Sequence, residues 1–337
     1  MENTDQVLEQ GPSSRALSWA LRQAGPDSRL VQAVRLKGGI SSVVYRLEIA
    51  VDHQAENRLW VMRIIQDEAW IKEEPHLPLH EKAALLAACE AGMPAPVWIA
   101  SDPEGRECGY PAVLMSCLPG TVILERQASS AWLQALGEAI AKLHGAPARK
   151  MEWHYFTYVS LDGLEVPVWT EEPAAWRIIL DTVKGPRPEY TPCLIHRDYH
   201  PANVLWTEGA ISGIVDWINA CEGPAGIDTG HCRLNLVQLY GVQAADDFLE
   251  AYLAAPGASL LAENPYWDML SLVEMLPGPP GVYKGWEDLG VQGLSPELIR
   301  GRLDEYAVRL AAKHKKYEKR RASRTSGLEI ERNVNLD

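Results

Sequence analysis

Ile195-His196-Arg197-Asp198-Tyr199-His200-Pro201-Ala202-Asn203-Val204-Leu205-Trp206, followed by Val215-Asp216-Trp217, is the stretch whose reading decides the fold. Residues 203–206 and 210–215 read as two short apolar strands, joined by the polar, glycine-containing loop Thr207-Glu208-Gly209. A hairpin returns its end to its start. Asn203 and Asp216 therefore stand at the open ends of the two strands, where they can offer hard oxygen ligands to one cation of the Mg2+ kind. Asp198 lies five residues before Asn203. Those offsets fit the pattern H-R-D-x-x-x-x-N with a later aspartate, in which the first aspartate accepts from a substrate hydroxyl and the other two residues hold metal. Phosphoryl transfer needs those groups and little further covalent chemistry. A surface loop with chance acidic residues is the competing account, but it requires three polar positions to fall at the right offsets around two strands by accident.

The string His196-Arg197-Asp198-Tyr199-His200-Pro201-Ala202-Asn203 with Ile214-Val215-Asp216-Trp217 resembles the aminoglycoside phosphotransferase family, also called the phosphotransferase enzyme family. Its relatives include choline, homoserine, methylthioribose and fructosamine kinases. His-Pro before the asparagine, Asp-Trp in place of Asp-Phe-Gly, and the lack of an A-P-E segment look unlike a protein kinase. The resemblance runs at lower specificity from about 34 to about 240. It implies an α+β, two-lobed protein-kinase-like fold, with a small β-rich N-lobe and a larger, mainly helical C-lobe. The expected division is an N-lobe over 1–115 with a five-stranded sheet and one helix, a hinge over 116–121, a catalytic and acceptor-binding C-lobe over 122–315, and a basic, flexible tail over 316–337.

The resemblance also assigns roles upstream. Gly38-Gly39-Ile40-Ser41-Ser42 interrupts an apolar alternation over 31–49, and Gly38, Gly39, Ser41 and Ser42 look like a short phosphate-covering loop; a plain hairpin turn explains the same letters. Arg63, in the strand expected over 59–65, sits where kinases place a phosphate-pairing lysine, and its guanidinium can make bidentate phosphate contacts. Its implied partner is Glu81 on a helix expected over 79–91, the alternative being a solvated helix-start glutamate. The apolar strand over 111–118 ends at Pro119-Gly120. There the resemblance puts Met115 behind a purine ring and gives its edge to the backbone of Ser116 and Leu118, whereas a strand and turn is the plainer account. Asp228 either braces the backbone of the catalytic loop or caps the helix that follows. His196 reads as a packing residue, and His200 and His231 lack metal-ligand spacing.

Composition limits the remaining choices. A chain of 337 residues is long for a single core. It has no apolar run long enough to span a membrane and no basic and apolar leader at its start. Cys89, Cys108, Cys117, Cys193, Cys221 and Cys232 show no paired spacing and suit reduced thiols in the cytoplasm. Net charge is −13, but residues 313–337 hold eight basic and four acidic residues, leaving 24 basic and 41 acidic residues, a net −17, on the body before them. That excludes nucleic acid as a partner of the body; the basic clusters of the tail read as a solvated helix end. An acidic body suits a small, cationic hydroxyl acceptor. Trp267, Tyr283 and Trp286 either shape its pocket or fill the core. The resemblance thus implies a kinase taking ATP or GTP with Mg2+ to an aminoglycoside-like acceptor. Its alternatives are a choline- or homoserine-type metabolite kinase and a nucleotide-binding pseudoenzyme. Nothing in the sequence assigns an oligomeric state.

Overall fold

The computed structural model describes residues 11–36, 42–52, 54–124, 128–147, 151–276 and 278–334, with side chains through 320. In chain order the elements begin α1 (Ser14–Ala24), β1 (Ser28–Arg35), β2 (Ser42–Val51), β3 (Arg58–Ile65), α2 (Glu68–Glu73), α3 (Leu77–Glu90), β4 (Trp98–Asp102), β5 (Ala112–Ser116) and β6 (Thr121–Val122). They continue α4 (Ser130–His144), α5 (Pro173–Lys184), β7 (Pro192–Ile195), β8 (Val204–Thr207), β9 (Ala210–Ile214) and β10 (Cys221–Pro224). Among the described residues there follow the α-helices α6 (Ala225–Tyr240), α7 (Val242–Ala254), α8 (Pro265–Val273), α9 (Lys284–Asp288) and α10 (Pro296–Val334). Two compact units result, one from the described residues of Met1–Ile123 with Asn203–Ala220, the other from Leu124–Ala202 with Cys221–Asp337.

In the first unit an antiparallel sheet runs β1-β2-β3-β5-β4. Strand β2 alternates as a half-covered strand should, turning Tyr45, Leu47 and Ile49 inward. They pack with Met62, Leu114 and the Ala16, Trp19, Ala20 face of α1. Helix α1 starts where the Ser13 hydroxyl accepts from the Ala16 N–H at 3.2 Å and stops at Gly25, whose φ of 111° suits glycine. Three helices, not the expected one, accompany this sheet. Residues 203–220, expected in the C-lobe, group with the N-terminal part instead. The reason is local bonding: β6 pairs with β8, the Ile214 N–H donates to Pro94 O at 2.7 Å, and the His80 ring meets Ala220 O at 2.7 Å.

Among the described residues, the regular structure of the second unit is helical apart from the β7–β10 pair. Its centre is α6, buried over most of its length, with β7, α7, α8 and α10 packed against it. Trp267 and Trp286 are fully buried, so they fill the core rather than line a pocket. Arg233 of α6 is buried too, held by Asp268 of α8 and by Asp246 of α7 at 2.6 Å. Helix α10 runs on to Val334, so residues 316–334 are helical where a flexible tail was expected.

Candidate functional site

The hairpin forms as its spacing suggests. Val204 pairs with Ile214, and the Val215 N–H donates to Asn203 O at 2.9 Å, which sets Asn203 and Asp216 beside each other at the open end of β8–β9. Asp216 has φ of 68°, a left-handed conformation that costs a non-glycine residue about 1–3 kcal/mol and that recurs at functional positions. An asparagine amide and an aspartate carboxylate at one hairpin mouth are the oxygen donors Mg2+ takes, so the residues present fit that ion.

Arg63 joins this end of the hairpin to the sheet and to α3. Its Nη2 donates to Asp216 Oδ1 at 2.8 Å, its Nε to Glu81 Oε1 at 3.1 Å and its Nη1 to Ser42 Oγ at 2.9 Å. The guanidinium is buried, and burial works against its charge. Asp216 and Glu81 outweigh that and hold its pKa above its ordinary value. Glu81 is 1% exposed, so it is the partner of Arg63 and not a solvated helix start. Its Oε2 is buried without a hydrogen-bond partner, and burial pushes the carboxyl up to about 7, with Asp216 adding and Arg63 opposing. Gly38, Gly39 and Ser41 lie outside the described residues; Ser42 opens β2. Met115 is buried in β5, and the Ser116 N–H is already given to Val97 O at 2.9 Å. Leu118 packs where a Cβ on Gly213 of β9 would stand 2.8 Å from its Cδ1.

In the second unit, α6 holds the Asp198 loop by two side chains one turn apart. Asp228 accepts from the His196 N–H at 2.7 Å and the Arg197 N–H at 2.6 Å, and the His144 ring meets it at 3.1 Å. Asp228 therefore braces the loop; it lies inside α6 and does not cap it. The brace keeps Arg197 at φ of 68°, and the Arg197 guanidinium donates to Phe156 O at 2.7 Å and lies 3.8 Å from the Tyr158 ring centre. His231, three residues after Asp228, places Nε2 3.1 Å from Asp198 Oδ1, and His200 Nε2 stands 3.8 Å from the same oxygen. Burial opposes ionisation of Asp198, but the hydrogen bond from His231 and the charges of His200, His231 and His196 outweigh it. Its pKa lies well below the usual carboxylate range. The Asp198 side chain keeps 32% of its surface exposed, so a substrate group can reach it. His196 is fully buried, in keeping with a packing role. Sequence reasoning passed over His200 and His231, because spacing rules do not reveal a contact between two segments; a histidine one helical turn after the bracing aspartate was the available signal.

A profile of the phosphotransferase enzyme family matches residues 32–263. The homoserine kinase of Methylorubrum populi is 32% identical over 133 residues, covering 35% of this chain and 39% of that protein. That of Afipia carboxidovorans is 30% identical over 207 residues, 52% of this chain and 61% of that protein. The chain thus spans about half the length of the curated relatives it matches. Among solved structures, amicoumacin kinase hAmiN in complex with AMP-PNP, Ca2+ and Ami is similar with a TM-score of 0.55 at 13% identity, over 91% of this chain and 96% of that one. This likeness shows the fold, a kinase-like arrangement with a β-sheet N-terminal part and a helical C-terminal part. With more than half its length matched, the chain belongs to the phosphotransferase enzyme family.

Proposed function

We propose that this protein transfers the γ-phosphoryl group of ATP or GTP to a hydroxyl of a small, cationic acceptor of the aminoglycoside kind. The observation that carries the reading is the buried Arg63 guanidinium, fixed at once by Ser42, Glu81 and Asp216. A permanent charge held in place beside a candidate metal ligand is what a phosphate chain requires, and it needs no reorganisation when charge builds on the transferring group. Arg63, braced by Glu81, neutralises the α/β-phosphates, and the loop from Gly38 through Ser42 covers them. Asn203 and Asp216 would hold Mg2+, which neutralises developing charge on the phosphate oxygens when bound. Residues 116–121 act as the hinge, with Met115 behind the purine. Since the Ser116 N–H is committed to Val97, recognition of the purine edge falls to the Ser116 carbonyl and the Leu118 amide. Asp198 orients the acceptor hydroxyl and accepts from it.

A metabolite kinase of homoserine or choline type is the second reading, favoured by the homoserine kinases among the relatives. A pseudoenzyme is disfavoured because Asp198, Asn203 and Asp216 are all present. Reduced cysteines and a nucleotide donor suit a cytoplasmic protein; among the described residues no helix is long and apolar enough to cross a membrane. ATP and GTP turnover with Mg2+ against aminoglycosides, macrolides, amino alcohols including homoserine, and sugars tests the reading. Phosphorylation of an aminoglycoside supports it, phosphorylation of homoserine alone selects the second reading, and nucleotide binding without turnover on any acceptor overturns both.

A further inference from the structure

Asp198, His200 and His231 each aim one ligand atom into the same space, and those atoms lie within 4.8 Å of one another. The two nitrogens stand 3.1 and 3.8 Å from Asp198 Oδ1. Two ligands each about 2.0–2.1 Å from a tetrahedral Zn2+ stand about 3.3–3.5 Å apart, and the observed distances bracket that spacing. Two imidazoles and one carboxylate, with positions left for water, are a donor set for borderline divalent transition ions and a poor one for Mg2+, which prefers oxygens in an octahedron. The support is rigid where it needs to be. His231 is fixed in α6 one turn beyond Asp228, and Asp228 pins the backbone at His196 and Arg197. The side chains remain open to a diffusing ion, at 31% for His231 and 32% for Asp198.

We propose that Asp198, His200 and His231 form a site for Zn2+ or a similar transition ion, and that an ion bound there withdraws Asp198 from the acceptor hydroxyl and inhibits phosphoryl transfer. Binding through His200 Nε2 places the ring proton on Nδ1 and gives up the contact from the Ala202 N–H, which at 3.4 Å is a long one. The metal takes the place of the hydrogen bond between His231 and Asp198. The site is separate in its donors from Asn203 and Asp216. The inhibition rests on Asp198 being the hydroxyl-orienting base; the binding does not.

Cobalt(II) titration of the full chain tests the binding, read by its visible d–d absorption, with Zn2+ as competitor. Wild type should develop the absorption of four- or five-coordinate cobalt and lose it to Zn2+. His231→Ala and His200→Ala should each weaken binding at least about tenfold, the minimum expected when one of three ligands is removed. With a working acceptor, Zn2+ should inhibit over the concentrations at which it displaces cobalt, and excess Mg2+ should not relieve the inhibition. No protein-dependent cobalt absorption, or equal binding in wild type and either folded histidine variant, overturns the site. Inhibition that excess Mg2+ removes would put the Zn2+ on the oxygen ligands and overturn the inhibitory role. The cobalt titrations of wild type and the two histidine variants require no turnover, so they decide the site even if the phosphotransfer reading fails.

Discussion

Arg63 is held by two acids, Asp216 and Glu81, and the buried Glu81 makes the contact sensitive to pH. The guanidinium stays charged at any working pH. Its raised pKa and that of Glu81 pull in opposite senses, since one favours the ion pair and the other weakens it, and Glu81 is the member that titrates. Burial is the largest cause of its rise from an ordinary 4.5 to about 7. The folded chain then holds the Glu81 proton more tightly than the unfolded chain does. Its contribution to stability is fully present below pH 4.5, declines as pH rises, and is gone above about 7. Glu81→Gln cannot titrate. Urea unfolding from pH 4.5 to 7.5 should show wild type losing up to about 3 kcal/mol relative to that variant; parallel curves would mean that Glu81 keeps an ordinary pKa. On the proposed reading Asp198 meets the acceptor and not the nucleotide, so Asp198→Asn should bind Mg-ATP nearly as wild type does yet transfer phosphoryl at least about 100-fold more slowly. Calorimetry beside an ADP-release assay separates the two, and undiminished turnover would assign the hydroxyl to another residue.

Among the elements, α6 ties packing to chemistry most directly. Gly226 and Gly230 form the face on which α8 approaches: a Cβ on Gly226 would stand 2.2 Å from the Trp267 ring, and one on Gly230 2.8 Å from Trp267 O and 2.6 Å from Ser271 Oγ. A carbonyl cannot swing away as a side chain can. Gly230→Ala should therefore cost about 1–3 kcal/mol in urea unfolding. Because Asp228 and His231 ride on the same helix, it should also lower turnover more than nucleotide affinity; unchanged stability would show that α8 moves aside freely. Neither glycine announced this role in the sequence. The apolar run from Cys232 is readable as helix, but Gly226 and Gly230 weaken a helix in isolation, and their value depends on Trp267 and Ser271, far along the chain. The β8–β9 hairpin was legible because its signals are local: a polar turn with Gly209 between two short apolar strands. Helix α1 was not, because its buried face of Ala16, Trp19 and Ala20 gains meaning only against Leu47 and Ile49 of the sheet.

At the scale of the whole molecule, the same limit governs the candidate site. The candidate ligands at the hairpin mouth followed from motif offsets and the Arg63–Glu81 pair from the family resemblance, whereas Asp198 and His231, 33 positions apart, meet only through the packing of α6. Net charge is the molecular property that sequence gives directly, and it carries a test of acceptor class. At −13 the protein attracts cations over a range set by ionic strength, with a Debye length of about 30 Å at 0.01 M salt and about 10 Å at 0.1 M. A polycationic aminoglycoside should lose kcat/KM several-fold between those concentrations, mostly through KM, because attraction speeds encounter and not chemistry. Homoserine is a zwitterion without net charge, so its kcat/KM should hardly change over the same range. The nucleotide is anionic, and its KM should move the other way, falling as salt screens repulsion, which controls for a general effect of salt on folding. Stopped-time assays at matched Mg2+ activity measure all three. A polycation whose kcat/KM is indifferent to salt would mean that the surplus of carboxylates takes no part in gathering the acceptor, and the argument from charge to acceptor class would fall with it.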